Sequence, residues 1–190
     1  MKKLVVSLTL LLTTFILASC QTQEDVVVIY TERHYETDQV LYDAFTEETG
    51  IRLDVVRASA DELISRLVNE GEDTPADVLI FADAGRLYRA KNLALLQPFE
   101  DDIMKNQVDE GLYDTNFYWY GLTMRARVIM YAKDRINKTS LSTYEALSTP
   151  QWNGQIAVRT SSNLYNISWI ASLLMAKGET QTEAFLNGFV

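Results

Sequence analysis

The chain has 190 residues, of which 47% are apolar and 23% charged, and its formal charge at pH 7 is −9. A chain of this size can bury a substantial core, while its acidity argues against nucleic acid or anionic membrane surfaces as partners, whose affinity comes from Lys and Arg neutralising phosphates. Its single cysteine excludes a disulfide framework.

The N-terminus has the layout of an export signal. Lys2 and Lys3 precede an apolar run over residues 4–16, and Leu17-Ala18-Ser19-Cys20 offers a small-residue cleavage site. The run is too short for the roughly 20 apolar residues that cross a bilayer, so it reads as a removable leader. Cys20 directly after Leu-Ala-Ser resembles the lipobox of bacterial lipoproteins, in which that thiol is lipidated and becomes the first mature residue. The expectation is an exported protein, in the periplasm or at the cell surface, held to the membrane by a lipid on Cys20. Cleavage would leave 171 residues (190 less 19) and, with Lys2 and Lys3 gone, take the charge from −9 to −11.

Beyond the leader, strand and helix signals alternate. Residues 26–30 form an apolar, β-branched run that reads as a buried strand. A helix over 37–49 follows, with Val40, Leu41, Ala44 and Phe45 on one face and Gly50 placed to end it. Residues 51–56 alternate as a strand, and Ser59 with Glu62 has the capping-box spacing before the stripe Leu63, Ile64, Leu67, Val68. A third strand is expected at 77–81 and a third helix at 87–91, opened by Asp83-Ala84-Gly85-Arg86. Successive β-then-α units imply parallel strands joined by helical crossovers.

Residues 100–118 are acidic and weakly periodic, and read as a solvated connection. The β-prone run 119–131 is long enough for a strand crossing between lobes. A short helix at 142–147, a turn around Pro150 and Trp152-Asn153-Gly154, a strand at 155–159, a polar loop at 160–166 and an apolar helix at 167–176 complete the pattern. The final residues, Phe185-Leu186-Asn187-Gly188-Phe189-Val190, stop within an apolar pattern, which reads as a chain cut short.

The stretch Tyr30-Thr31-Glu32-Arg33-His34-Tyr35 holds the only histidine and lies between the first strand and the first helix. In open α/β sheets ligands gather beyond the carboxyl ends of strands, so imidazole and phenol groups there are candidates for ligand or metal contact. The bland alternative is an ordinary surface His-Tyr pair. Adjacent side chains on a regular strand point to opposite faces, so His34 and Tyr35 reach one ion only from an irregular turn.

Four segments taken together resemble the ferric-iron-binding solute receptors of bacterial ABC transporters. They are residues 26–50, Pro75-Ala76-Asp77-Val78 through Asp83-Ala84-Gly85-Arg86-Leu87, Tyr120-Gly121-Leu122-Thr123-Met124-Arg125-Ala126-Arg127-Val128, and Ser161-Ser162-Asn163-Leu164-Tyr165-Asn166, in the family's order. The resemblance implies an α/β fold of the type II periplasmic-binding-protein kind, with two lobes and iron held between them. It implies lobe 1 over 20–120, a hinge crossover strand over 121–132, and the start of an incomplete second lobe over 133–190, with residues 1–19 as signal peptide. It further implies His34, Tyr35 and Tyr165 as ligands to ferric iron, Arg125 as holder of a synergistic anion such as carbonate, and a monomer that delivers iron to a permease. Arg127 shares a face with Arg125 if the strand is regular. The tandem Tyr-Tyr usual in the family's second half is not in this sequence.

The chemistry of the donors agrees with that set. A hard, highly charged cation favours oxygen ligands and accepts imidazole, and a metal favours the phenolate, so binding should release protons. Two other readings stand beside it: a receptor for another small solute, such as a polyamine or an oxyanion, and a metal-dependent hydrolase built on His34. Neither HExxH nor GxSxG spacing occurs, so a non-enzyme is expected.

Overall fold

The structure is a computed structural model and describes residues 25–189. The expected leader and Cys20 lie outside the described residues. The chain forms two compact units, one through Ala82 and the other from Asp83.

The first unit is built on three parallel strands, β1 (Val26–Thr31), β2 (Arg52–Arg57) and β3 (Val78–Ile80), in the order β2-β1-β3. The register runs from Val26 opposite Arg52 to Thr31 opposite Arg57 on one side, and from Ile29 opposite Val78 to Thr31 opposite Ile80 on the other. Parallel neighbours need crossovers, and these are α1 (Glu36–Thr49) and α2 (Ala60–Glu70). As the central strand β1 is covered most, with Ile29, Tyr30 and Thr31 buried.

Local chemistry explains the helices. The Ser59 hydroxyl accepts from the Glu62 N–H while the Glu62 carboxylate accepts from the Ser59 N–H at 2.9 Å, closing the expected capping box at the start of α2. Its buried face, Ala60, Leu63, Ile64 and Leu67, follows the helical period and packs on β1. Gly50 ends α1 at φ 73°, a left-handed value that suits glycine, and its N–H reaches the Thr46 carbonyl.

The face of α1 differs from expectation. Val40 and Leu41 are 69% and 68% exposed, and Phe45 is also exposed. The buried residue is Asp38, with Tyr42 and Thr46 half-buried above it at four-residue spacing. Asp38 carries an ion pair to Arg33, and the apolar stripe faces outward.

The second unit contains α3 (Ala84–Asn92), α4 (Asp102–Gln107), α5 (Leu164–Lys177) and α6 (Glu179–Asn187), with short 3-10 turns between α4 and α5. Its core gathers Trp152, Leu173 and Phe185, and an aromatic cluster runs from Tyr144 through Trp169 to Phe185 and Phe189, with centroids 4.8 to 6.0 Å apart. Edge-on contacts of this kind add to plain apolar burial.

Three expectations fail here. The run 119–131 and residues 155–159 carry no strand. The single ladder element nearby is an isolated bridge between Tyr113 and Tyr120. A strand is stable only when its N–H and C=O groups find a neighbouring ladder, and among the described residues none pairs with the run beyond Gly121. Leu122, Met124, Val128 and Met130 are accordingly 68 to 88% exposed. The stretch read as a solvated connection instead holds α4 and a turn organised by buried Asp114. That carboxylate accepts from Lys91 Nζ at 2.7 and 2.8 Å and from the Asn116 N–H at 3.0 Å.

Candidate functional site

The end of β1 is fixed before the candidate residues begin. Thr31 Oγ1 donates to the Ile80 carbonyl at 3.0 Å and accepts from the Arg33 N–H at 3.0 Å. The Glu32 N–H continues the ladder to the Ile80 carbonyl, and the Glu32 carboxylate accepts from the Ala82 N–H at 2.7 Å. The Glu32 carboxylate is therefore a structural acceptor that ties the loop to the end of β3.

Past Glu32 the chain leaves the ladder. Arg33 forks onto Asp38, with Nε to Oδ2 at 2.9 Å and Nη2 to Oδ1 at 2.7 Å. The guanidinium holds the Asp38 carboxyl below the usual carboxylate range, mainly through these hydrogen bonds and against the opposing effect of burial. Tyr35 is the N-cap of α1, and its carbonyl accepts from the Asp38 N–H at 3.1 Å. His34 and Tyr35 thus sit on an irregular turn, which removes the alternation of a strand. Their rings stack on one side, centroids 5.1 Å apart and 20° from parallel. Both residues are exposed, and His34 Nδ1 lies 3.5 Å from the Glu32 carbonyl.

Tyr165 and Arg125 belong to the second unit. Asn163 caps α5, its Oδ1 accepting from the Tyr165 N–H at 3.1 Å, so Tyr165 stands in the first helical turn. Arg125 Nη1 donates to Tyr165 Oη at 2.9 Å. The guanidinium carbons of Arg125, Arg127 and Arg159 lie 5.9, 5.3 and 5.2 Å from the Tyr165 ring centroid. Asn166 Nδ2 donates to the Arg159 carbonyl at 2.6 Å, which joins the loop to the segment before it. Three guanidinium groups about one ring make a cationic patch suited to an anion.

The structure therefore brings His34 to Tyr35, and Arg125 to Tyr165. Sequence reasoning did not single out Arg159 or the Arg33–Asp38 pair. Arg159 carried a signal, since it directly precedes the 160–166 loop. The Arg33–Asp38 pair carried none, because an acid five residues after an arginine has no regular spacing across a loop-to-helix junction. Among the described residues, no three His, Cys, Asp or Glu side chains gather where they could hold a metal.

Comparison with known proteins gives a consistent picture. The pattern that defines the bacterial extracellular solute-binding proteins matches residues 41–185. Iron uptake protein A1 of Synechocystis is 44% identical over 174 residues, covering 92% of this chain and 48% of that protein. The Fe(3+)-binding periplasmic protein of Serratia marcescens is 28% identical over 171 residues, covering 90% of this chain and 50% of its own. A Trichodesmium protein solved in complex with iron and citrate superposes with a TM-score of 0.81 at 43% identity, over 86% of this chain and 52% of that one. The ferric binding protein from Campylobacter jejuni gives 0.78 at 35% identity, over 85% and 52%. The chain spans about half the length of the curated relatives it matches.

Proposed function

This chain belongs to the bacterial extracellular solute-binding proteins, and from that footing we propose that it is an exported receptor that binds ferric iron for uptake through an ABC transporter permease. Its fold is the α/β fold of the type II periplasmic binding proteins. The family is one of binding proteins, not of enzymes.

The observation that carries the ferric reading is the exposed, stacked His34–Tyr35 pair at the carboxyl end of β1. An imidazole nitrogen and a phenol oxygen on one side of a fixed turn suit a hard cation that also accepts nitrogen. Tyr165 is the third protein ligand in this reading, and Arg125 at its hydroxyl is the group that holds an accompanying anion such as carbonate. In lobe terms the proposal keeps residues 20–120 as lobe 1, 121–132 as hinge and 133–190 as part of lobe 2, with residues 1–19 as signal peptide. Lipidation at Cys20 would keep a monomeric receptor at the membrane, near its permease.

Titration of the full chain with a ferric salt tests the reading. A tyrosinate-to-iron charge-transfer band should appear, protons should be released, and Tyr165→Phe should weaken the band more than His34→Ala. A chain that shows no such band at any ferric concentration does not bind iron through these residues. Binding of a polyamine or an oxyanion without metal would assign the site to another solute.

A further inference from the structure

We infer that Arg33 and Asp38 are positioning residues for the His34–Tyr35 pair, a clamp that holds the two rings in register for the metal; this rests on the ferric reading above. The ion pair starts one residue before the pair and ends in the first turn of α1 just after it. Its two hydrogen bonds, at 2.9 and 2.7 Å, therefore close a short ring of chain around His34 and Tyr35. Both partners are largely withdrawn from water, with side-chain exposures of 22% and 10%. A planar fork on a carboxylate fixes orientation as well as distance, which a single ammonium does not.

A second contact carries the clamp to the rings. The guanidinium carbon of Arg33 lies 5.1 Å from the centroid of the Tyr35 ring, and that ring stacks on His34. Arg33 is itself anchored to the strand, its N–H donating to Thr31 Oγ1. An uninterrupted series of contacts thus runs from the buried end of β1 through Arg33 to both proposed ligands. Groups that orient metal ligands from behind commonly account for 10- to 100-fold in affinity.

The test uses the full chain with Arg33→Lys and Asp38→Asn. Arg33→Lys keeps the charge and removes the fork, and it stands if Asp38→Asn proves unstable. Two readouts are taken: the ferric affinity from titration of the charge-transfer band with ferric nitrilotriacetate, and the aromatic NMR resonances of Tyr35 and His34 without metal. Both variants should lower ferric affinity by about tenfold or more and displace the Tyr35 resonances, with the far-ultraviolet circular dichroism retained. Arg66→Lys, which alters an i,i+4 ion pair with Glu70 in the same unit, should change neither readout. Unmoved Tyr35 resonances in both variants would overturn the clamp, as would moved resonances with unchanged affinity. If the unaltered chain shows no charge-transfer band, the ferric reading fails by itself, and the clamp is judged by the metal-free resonances.

Discussion

Leu63→Ala would remove the side chain at the centre of the first unit. Leu63 is fully buried on the face of α2 that packs against β1. Truncation removes three carbons, which at about 0.8 kcal/mol per buried methylene is roughly 2.4 kcal/mol of transfer free energy. The residual cavity brings the typical cost to about 3–5 kcal/mol. A unit the size of residues 25–82 has a total stability on the order of 3–9 kcal/mol, so the substitution should take a third or more of it. The assay must be chosen with care, because Trp119, Trp152 and Trp169 all lie in the second unit and their fluorescence does not report on the first. Native-state hydrogen exchange of the β1 amides is the suitable measurement, and their protection should fall by at least a hundredfold, or about 2.7 kcal/mol. A loss of less than tenfold at β1 would show that Leu63 does not hold this sheet.

Two further outcomes are expected. Gly188→Ala would place a Cβ 2.3 Å from the Ser148 carbonyl oxygen and 2.6 Å from its Cβ, so the second unit should lose about 1–3 kcal/mol, seen as a lower denaturant midpoint of tryptophan fluorescence. Because the Arg33 guanidinium depresses the Asp38 carboxyl, its stabilising effect is complete above the unfolded carboxylate value near 4 and is lost as pH falls through the lower folded value. Thermal unfolding followed at β1 should thus show an acid-sensitive component that Asp38→Asn removes, and an unchanged pH profile in that variant would refute the assignment.

Much of the first unit was legible in the residues. The alternation at 51–56, the Ser59–Glu62 spacing and Gly50 after a helical period are local signals, and each corresponds to the element it suggested. The α1 stripe Val40, Leu41, Phe45 was misread because periodicity shows that a helix has an apolar face, not what covers it. In this unit the inward face carries Asp38 and its ion pair to Arg33. The run 119–131 has every intrinsic preference of a strand and lacks a ladder, which no single-strand pattern can supply. Asp114 failed in the opposite sense. An acidic residue in a polar stretch looks solvated until Lys91, distant in sequence, and two backbone N–H groups arrive around it. Of the candidate residues, the adjacency of His34 and Tyr35 could be read directly, whereas the guanidinium cluster about Tyr165 depends on chain segments some 40 residues apart in sequence.

The strand order β2-β1-β3 also bears on how the loop is assembled in time. Pairing of β1 with β2 joins residues such as Val26 and Arg52, 26 apart, while pairing with β3 joins Ile29 and Val78, 49 apart. Longer closures cost more chain entropy, though only by about 0.6 kcal/mol per doubling, and non-local contacts tend to form later. The Thr31 hydroxyl, the Glu32 N–H and the Glu32 carboxylate reach Ile80 and Ala82, on the far side of the longer closure, while on the β2 side the Ala58 N–H donates to the Thr31 carbonyl. A chain that has paired β1 with β2 alone lacks the bonds to Ile80 and Ala82, so docking of the third strand completes the tether of the loop that carries the histidine and tyrosine.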